Sequence, residues 1–392
     1  MKKILFVIDR YPGYGGIENV TTWLANYFVS QGVNVLIYSF RNEDAEHLIQ
    51  CLDHRVIWVQ ASCPDVYKTE ENIRQMVELV DKGQFDYTIM QDDSAPMEQV
   101  LLKAELDKRS RLISVWHNSP DCMLTMLQGW KIEGNILERS KQQLQRMYRY
   151  VRIYLSFMHR LRLLYRCCFK YVLLSDKYVP IWQRMSLLGG KKKLMVLNNP
   201  ITSPAVGHYI ASKDKVCLFV GRFVPEKGVD KLLKIWEIVE QHNREWQLVF
   251  LGDGPLFKQM NQMAVSLGLK NVRFEGFCVD PTPFYKKAAI LCETSSFEGW
   301  PLTLGEAMSN SCLPVVYNSY AAADDILKDG KSGILVPPYH KAQFASELLR
   351  LFSDSDLLDG LRYGAYQRSL DFNIEKIGDQ WMSLLYSSDR KN

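Results

Sequence analysis

What this sequence lacks narrows its class. None of its nine cysteines forms a Cys-x-x-Cys or pairs with histidines at zinc-ligand spacing, so metal-ribbon and dithiol redox motifs are out. There is no Gly-x-Gly-x-x-Gly followed by a ribose-binding acid, which removes the nicotinamide-dehydrogenase fingerprint. No run of 18 or more apolar residues could span a bilayer. The formal net charge is only +4, too small to imply nucleic-acid binding. The opening run Ile4 to Ile8 is too short for a signal-peptide core, and Asp9-Arg10 closes it. It reads as a buried first strand. Adjacent Cys167-Cys168 and the other thiols are expected free and buried in a reducing compartment. The expected location is cytoplasmic, or peripheral on the inner face of the cell membrane.

At 392 residues the chain can build two full cores, and 47% hydrophobic with 23% charged content is ordinary for a soluble protein. The first half alternates strand and helix. Ile4 to Ile8 is a strand, followed by the loop Tyr11-Pro12-Gly13-Tyr14-Gly15-Gly16. Ile17, Val20, Leu24, Tyr27 and Phe28 then give a helical period that Gly32 ends. Glycines at such a loop let backbone approach a ligand, although a structural turn would look the same. Further strands are expected at Val33 to Tyr38, Val56 to Val59, Tyr87 to Met90 and Leu112 to Trp116, with a helix at Asn72 to Val80. His117 closes the last of these strands. That is the edge where open α/β sheets bind ligands, though a lone histidine is as readily a buried structural residue. More strands follow at Tyr171 to Leu174 and Leu194 to Leu197. An unperiodic Ser/Pro/Gly stretch, 201–214, reads as an interdomain linker. The alternation then restarts at Val216 to Val220, Leu248 to Leu251, 271–276, Ala288 to Cys292, Pro314 to Tyr317 and Gly333 to Val336. The expected division is 1–200, the linker, 215–370, and a last helix, 371–392, returning to the first domain. Two Rossmann-like halves on one linker would face each other across a deep cleft.

The chemistry is expected in Thr294-Ser295-Ser296-Phe297-Glu298-Gly299-Trp300-Pro301-Leu302-Thr303-Leu304-Gly305-Glu306. This stretch leaves an apolar run, crosses a loop and enters a helix. Pro301 suits a first helical position. Its two glutamates would lie about 10–12 Å apart if most of the gap were helical at about 1.5 Å per residue. A helix N-terminus near Leu302 offers free N–H groups to a diphosphate.

One segment holds the whole basic excess. Lys131 to Lys170 contains ten Lys/Arg and two Glu, so the remainder of the +4 chain is net negative. Leu144, Met147, Val151, Tyr154, Met158, Leu161 and Tyr165 recur at helical steps and predict one apolar face. A solvated helix, a coiled-coil contact and a membrane-surface helix over 139–166 are the alternatives. The charge excess favours an anionic membrane surface.

In order along the chain, these pieces resemble glycosyltransferase family 4, of the GT-B fold. They are Gly15-Gly16-Ile17-Glu18, His117, Gly221-Arg222-Phe223, Glu226-Lys227-Gly228, Gly252-Asp253-Gly254-Pro255, Gly276, Phe297-Glu298-Gly299-Trp300-Pro301 and Glu306-Ala307-Met308. The resemblance implies a donor site made by Gly15, Gly16, Arg222, Lys227, Gly276, Glu298, Gly299, Pro301, Leu302 and Glu306. Arg222 and Lys227 would neutralise the departing diphosphate. Glu298 would hold the donor sugar, Glu306 the ribose, and His117 would sit beside the sugar. Glu298, His117, Arg222 and Lys227 form the implied catalytic set. Such enzymes retain anomeric configuration and use neither cofactor nor bound metal. Asp92-Asp93 and Asp324-Asp325 lack the spacing of an Asp-x-Asp metal site.

The expected activity is transfer of a sugar from a nucleotide-sugar, a UDP-sugar, to a saccharide acceptor carried on a lipid. The expected setting is bacterial surface-polysaccharide or lipopolysaccharide synthesis. The alternative is a non-catalytic nucleotide-sugar binder or scaffold on the same fold.

Overall fold

A computed structural model describes residues 1–64, 66–91, 95–122, 124, 136–203 and 207–387. The chain divides into two compact units. The first comprises Met1–Asn198 and Gly378–Asn392, and the second comprises Asn199–Ile377.

Among the described residues the first unit has one seven-stranded parallel sheet. Its strands are β1 (Lys3–Arg10), β2 (Asn34–Arg41), β3 (Ile57–Gln60), β4 (Tyr87–Met90), β5 (Arg111–Trp116), β6 (Lys170–Leu173) and β7 (Leu194–Val196), in the order β3-β2-β1-β4-β5-β6-β7. Ile4, Leu5, Phe6 and Val7 are fully buried, as a parallel strand covered on both faces requires. Phe6 pairs with Ile37 on one side and Ile89 on the other.

The second unit repeats the plan with β8 (Asp214–Val220), β9 (Gln247–Leu251), β10 (Val272–Gly276), β11 (Ala288–Glu293), β12 (Leu313–Tyr317) and β13 (Ile334–Val336). Their order is β10-β9-β8-β11-β12-β13. In each sheet the strand order reverses direction once, between β1 and β4 and between β8 and β11. Loops leaving such a pair diverge and open a crevice beyond the carboxyl ends of the strands.

Several expectations change. Helices too short to show a period are added, including Glu46–Gln50 and Leu106–Arg109. The 201–214 stretch is tied to the second unit at several points, although Gly207, His208, Ala211 and Ser212 are exposed. Ile201 N–H donates to the Phe372 carbonyl, and Arg362 donates to the carbonyls of Ile210 and Ala211. The last helix, Ile374–Ser387, starts in the second unit, and from Gly378 onward it belongs to the first. There Tyr27 donates to Asp379 at 2.5 Å, and Tyr87 donates to the Leu385 carbonyl at 2.8 Å. All nine cysteines are free, but only five are buried; Cys51 is exposed.

The basic helix runs Ile136–Cys167 and does not bury one continuous face. Phe157, Leu161 and Leu164 are buried, with Phe157 edge-on to Trp116 at 5.1 Å. Arg160 Nε donates to Glu98 at 2.9 Å and Arg162 Nε to the Ser186 carbonyl at 2.6 Å, fixing that half. No residue from Glu138 to Ser156 is buried. Leu144, Met147 and Tyr148 are 63%, 61% and 67% exposed.

Candidate active site

In the second unit the site is built where β8 and β11 end. After β8 the chain makes a short 3-10 turn, Pro225–Lys227, and reverses at Gly228 with φ of +66°. A Cβ at Gly228 would lie 2.3 Å from the Thr294 carbonyl oxygen, so glycine is needed for both angle and space. Thr294 Oγ1 donates to the Gly228 carbonyl at 2.8 Å, and Ser296 N–H donates to the Glu226 carbonyl at 2.7 Å. Lys231 Nζ donates to Ser296 Oγ at 2.6 Å. The two exit loops are thereby sewn together. Buried Leu232, Leu233, Trp236 and Val239 hold the following helix, Val229–His242, against the sheet.

This stitching places Lys227 Nζ 2.6 Å from Glu298 Oε1 in a largely shielded ion pair. Burial alone would lower the Lys227 pKa, but Glu298 and Glu293 outweigh it and the net shift is upward. The ammonium is therefore charged at every working pH. Arg222 is exposed on the same loop, and its charge opposes that of Lys227.

The helix that follows β11 is Leu302–Ser309, so Pro301 sits just before it and not at its first position. Only the second half of the Glu298–Glu306 interval is helical, which removes the basis for the 10–12 Å estimate. The two glutamates have separate partners. Glu306 accepts from Thr202 Oγ1 at 3.0 Å and from the Tyr285 hydroxyl at 3.1 Å. Burial raises its pKa, and the two hydroxyls oppose that shift. Gly299 and Pro301 are buried in the connecting loop, and Leu302 is half-buried at the start of the helix. Gly276 ends β10 at φ of +78°, with open space where a Cβ would point.

One site-flanking residue gave little sequence signal. Glu293, the last residue of β11, is 5% exposed and accepts hydrogen bonds from Tyr320 and Thr303. A charge closing an apolar run at a strand's carboxyl end was the available clue.

In the first unit, Gly15 caps the helix Gly16–Ser30. The space that a Cβ on Gly15 would occupy is taken by the Glu18 carboxylate, 2.2 Å away. Glu18 also lies against Gly13 and pairs with Arg10 at 3.2 Å, while Arg10 also pairs with Glu43. Burial raises the Glu18 pKa despite that cation. His117 is buried at the end of β5, with Nε2 2.7 Å from Gln91 Oε1 at the end of β4. Burial pushes its pKa down to about 4, so the ring is neutral at physiological pH.

Among the described residues no group of His, Cys, Asp and Glu is arranged to hold a metal. Asp92 and Asp93 lie outside the described residues. The triplet Asp354-Ser355-Asp356 has the metal-site spacing, but Asp354 caps a helix through Leu357 N–H at 2.9 Å.

Among solved structures the chain is similar to Anabaena Alr3699/HepE in complex with UDP. The TM-score is 0.75 over 99% of this chain and 100% of that one, at 18% identity. That likeness establishes the fold. The protein has the two-domain α/β architecture of the GT-B glycosyltransferases, with the Lys227–Glu298 pair beyond the switch point of its second sheet.

Sequence likeness adds to the fold. Residues 206–368 match the model for Glycosyl transferases group 1. An uncharacterized glycosyltransferase of Haemophilus influenzae is 24% identical over 98% of this chain and all of that protein. The GalNAc-alpha-(1->4)-GalNAc-alpha-(1->3)-diNAcBac-PP-undecaprenol alpha-1,4-N-acetyl-D-galactosaminyltransferase of Campylobacter jejuni is 30% identical over 44% of this chain and 48% of that protein. The matched stretch lies within the second unit, and the match together with these relatives marks the protein as a glycosyltransferase.

Proposed function

We propose that the protein moves a sugar from a UDP-sugar to a lipid-linked saccharide, with retention of configuration, in the assembly of a bacterial surface polysaccharide or lipopolysaccharide. The observation that carries the donor reading is the shielded Lys227–Glu298 pair where β8 and β11 diverge. Lys227 and Arg222 neutralise the departing diphosphate, and the N-terminus of Leu302–Ser309 adds backbone N–H groups. Glu298 accepts from donor-sugar hydroxyls and Glu306 from the ribose. Gly276 leaves room for the base. Gly299, Pro301 and Leu302 shape the loop against the donor. Two cations and a helix N-terminus supply the electrostatics that a metal would otherwise provide.

The step we favour is substitution on one face of the sugar. The bond from the anomeric carbon to the phosphate oxygen breaks, and the acceptor oxygen bonds to that carbon from the same side. The acceptor proton passes to the departing phosphate. His117, neutral, donates or accepts a hydrogen bond beside the sugar and is not the base.

The acceptor reading is supported by the half-helix Glu138–Ser156. Exposed Leu144, Met147, Tyr148, Val151 and Leu155 are interleaved with Arg139, Lys141, Arg146, Arg149 and Arg152. Apolar side chains among cations suit an anionic bilayer surface, at about 1 kcal/mol per basic residue. The Campylobacter relative is named for transfer onto an undecaprenol-linked saccharide. None of the described helices is long and apolar enough to cross a membrane. Flotation with anionic vesicles should carry the protein up, and an Arg146→Gln, Arg149→Gln, Arg152→Gln variant should stay down; equal flotation on neutral vesicles contradicts the membrane reading. For the donor, a panel of nucleotide-sugars is scored by thermal shift and then by slow donor hydrolysis. Stabilisation by UDP-sugars is expected, and no preference for any nucleotide-sugar contradicts the reading.

A further inference from the structure

Among the described residues, Glu293 is the one buried carboxylate beside the Lys227–Glu298 pair that the proposed chemistry does not use. It closes β11, one residue before the loop that carries Glu298. Its two oxygens receive hydroxyl donors: the Tyr320 hydroxyl at 2.6 Å and Thr303 Oγ1 at 3.2 Å. Among the described residues no lysine or arginine forms an ion pair with it. Tyr320 follows β12, and Thr303 lies in the first turn of Leu302–Ser309. Glu293 therefore fastens the strand end, the next strand's exit and the N-terminus of that helix together.

Four titratable groups act on it or are acted on by it. Lys227 comes from the turn after β8 and Glu298 from the loop after β11. Tyr320 comes from beyond β12, and Tyr285 from the helix Thr282–Lys287. Only Lys227 is cationic, and Glu298 already holds it at 2.6 Å. Burial first and the Glu298 charge second push the Glu293 pKa up to about 7, while Lys227, Tyr320 and Thr303 oppose the shift.

We propose that Glu293 is a positioning residue whose protonation is linked to filling of the phosphate site. The inference rests on the donor reading above. A nucleoside diphosphate brings negative charge to Lys227 and draws on the ammonium that partly stabilises ionised Glu293. The carboxylate then faces Glu298 and the phosphates together, and it takes a proton from solvent. Uncharged, it keeps its two hydroxyl partners and holds the helix N-terminus in place. The sign follows from linkage. A ligand that causes proton uptake binds more weakly as pH rises through the titration of the free group. Glu293→Gln imitates the protonated acid and removes that dependence.

The test is UDP binding by calorimetry at pH 6, 7 and 8, in wild type and Glu293→Gln. Titration of UDP itself is common to both proteins and cancels in the ratio of their dissociation constants. The ratio of wild type to variant should rise about three- to tenfold from pH 6 to pH 8. A ratio that stays constant overturns the inference. A second measurement needs no variant: wild type titrated at pH 7.5 in two buffers of different ionisation enthalpy should take up about half a proton per UDP. No uptake, or release, also overturns it. If wild type binds none of UDP, ADP or GDP at any pH, it is the donor reading that fails.

Discussion

Both sheets end in glycine loops beside a cation–carboxylate pair, yet the glycines make room for different things. In the first unit Gly13 and Gly15 close over the protein's own Glu18, whose carboxylate fills the space a side chain would need. In the second unit backbone packs on backbone. A Cβ at Gly252 would meet the Gly221 carbonyl oxygen at 2.0 Å, and one at Gly254 would meet the Phe223 amide at 2.8 Å. Lys227 and Glu298 are left facing each other above that packing. A glycine-rich loop is thus no ligand signal by itself. What the missing side chain makes room for decides its role.

The largest expected effect sharpens this contrast. Lys227→Ala should lower kcat/KM by about 10²–10³, or ~3–4 kcal/mol of transition-state stabilisation, while the thermal midpoint moves little. Gly252→Ala should act on the fold instead. It combines φ of +137° with a clash against backbone, and about 3 kcal/mol of stability should be lost in denaturant titration. Gly15→Ala should cost about 1–3 kcal/mol, because the Glu18 side chain must move. Glu18→Ala in the same chain should recover part of that loss; an additive double variant breaks the claim that Gly15 serves Glu18. The smallest effect is expected at His117. His117→Gln should slow transfer by about tenfold, or ~1.4 kcal/mol, with no change in the pH–rate profile between pH 6 and 8. Its depressed pKa also sets a stability window. The folded state favours the neutral ring, so this contribution is full above the unfolded pKa of about 6.5 and is lost as pH falls toward 4.

The sheets were legible because parallel strands buried on both faces read as unbroken apolar runs, as Ile4 to Ile8 and Ala288 to Cys292 do. Lys227 and Glu298 were legible because each sits a few residues beyond such a run. Glu293 was not, because its burial depends on Thr303 and Tyr320, which the fold brings in from beyond the loop and from the next strand's exit. The basic helix shows the opposite failure. Its period from Leu144 to Tyr165 is real, but period alone does not say what covers a face. Trp116 and Glu98 engage the helix only from Phe157 onward.

The central claim is that the second unit holds the donor through Lys227. Its most direct test is UDP affinity by calorimetry at one pH and one ionic strength, in wild type, Lys227→Ala and His117→Gln. We predict a loss of about 10²-fold for Lys227→Ala, the ~3 kcal/mol of a charge-assisted phosphate contact, and less than about tenfold for His117→Gln. Wild-type affinity in Lys227→Ala would contradict the account.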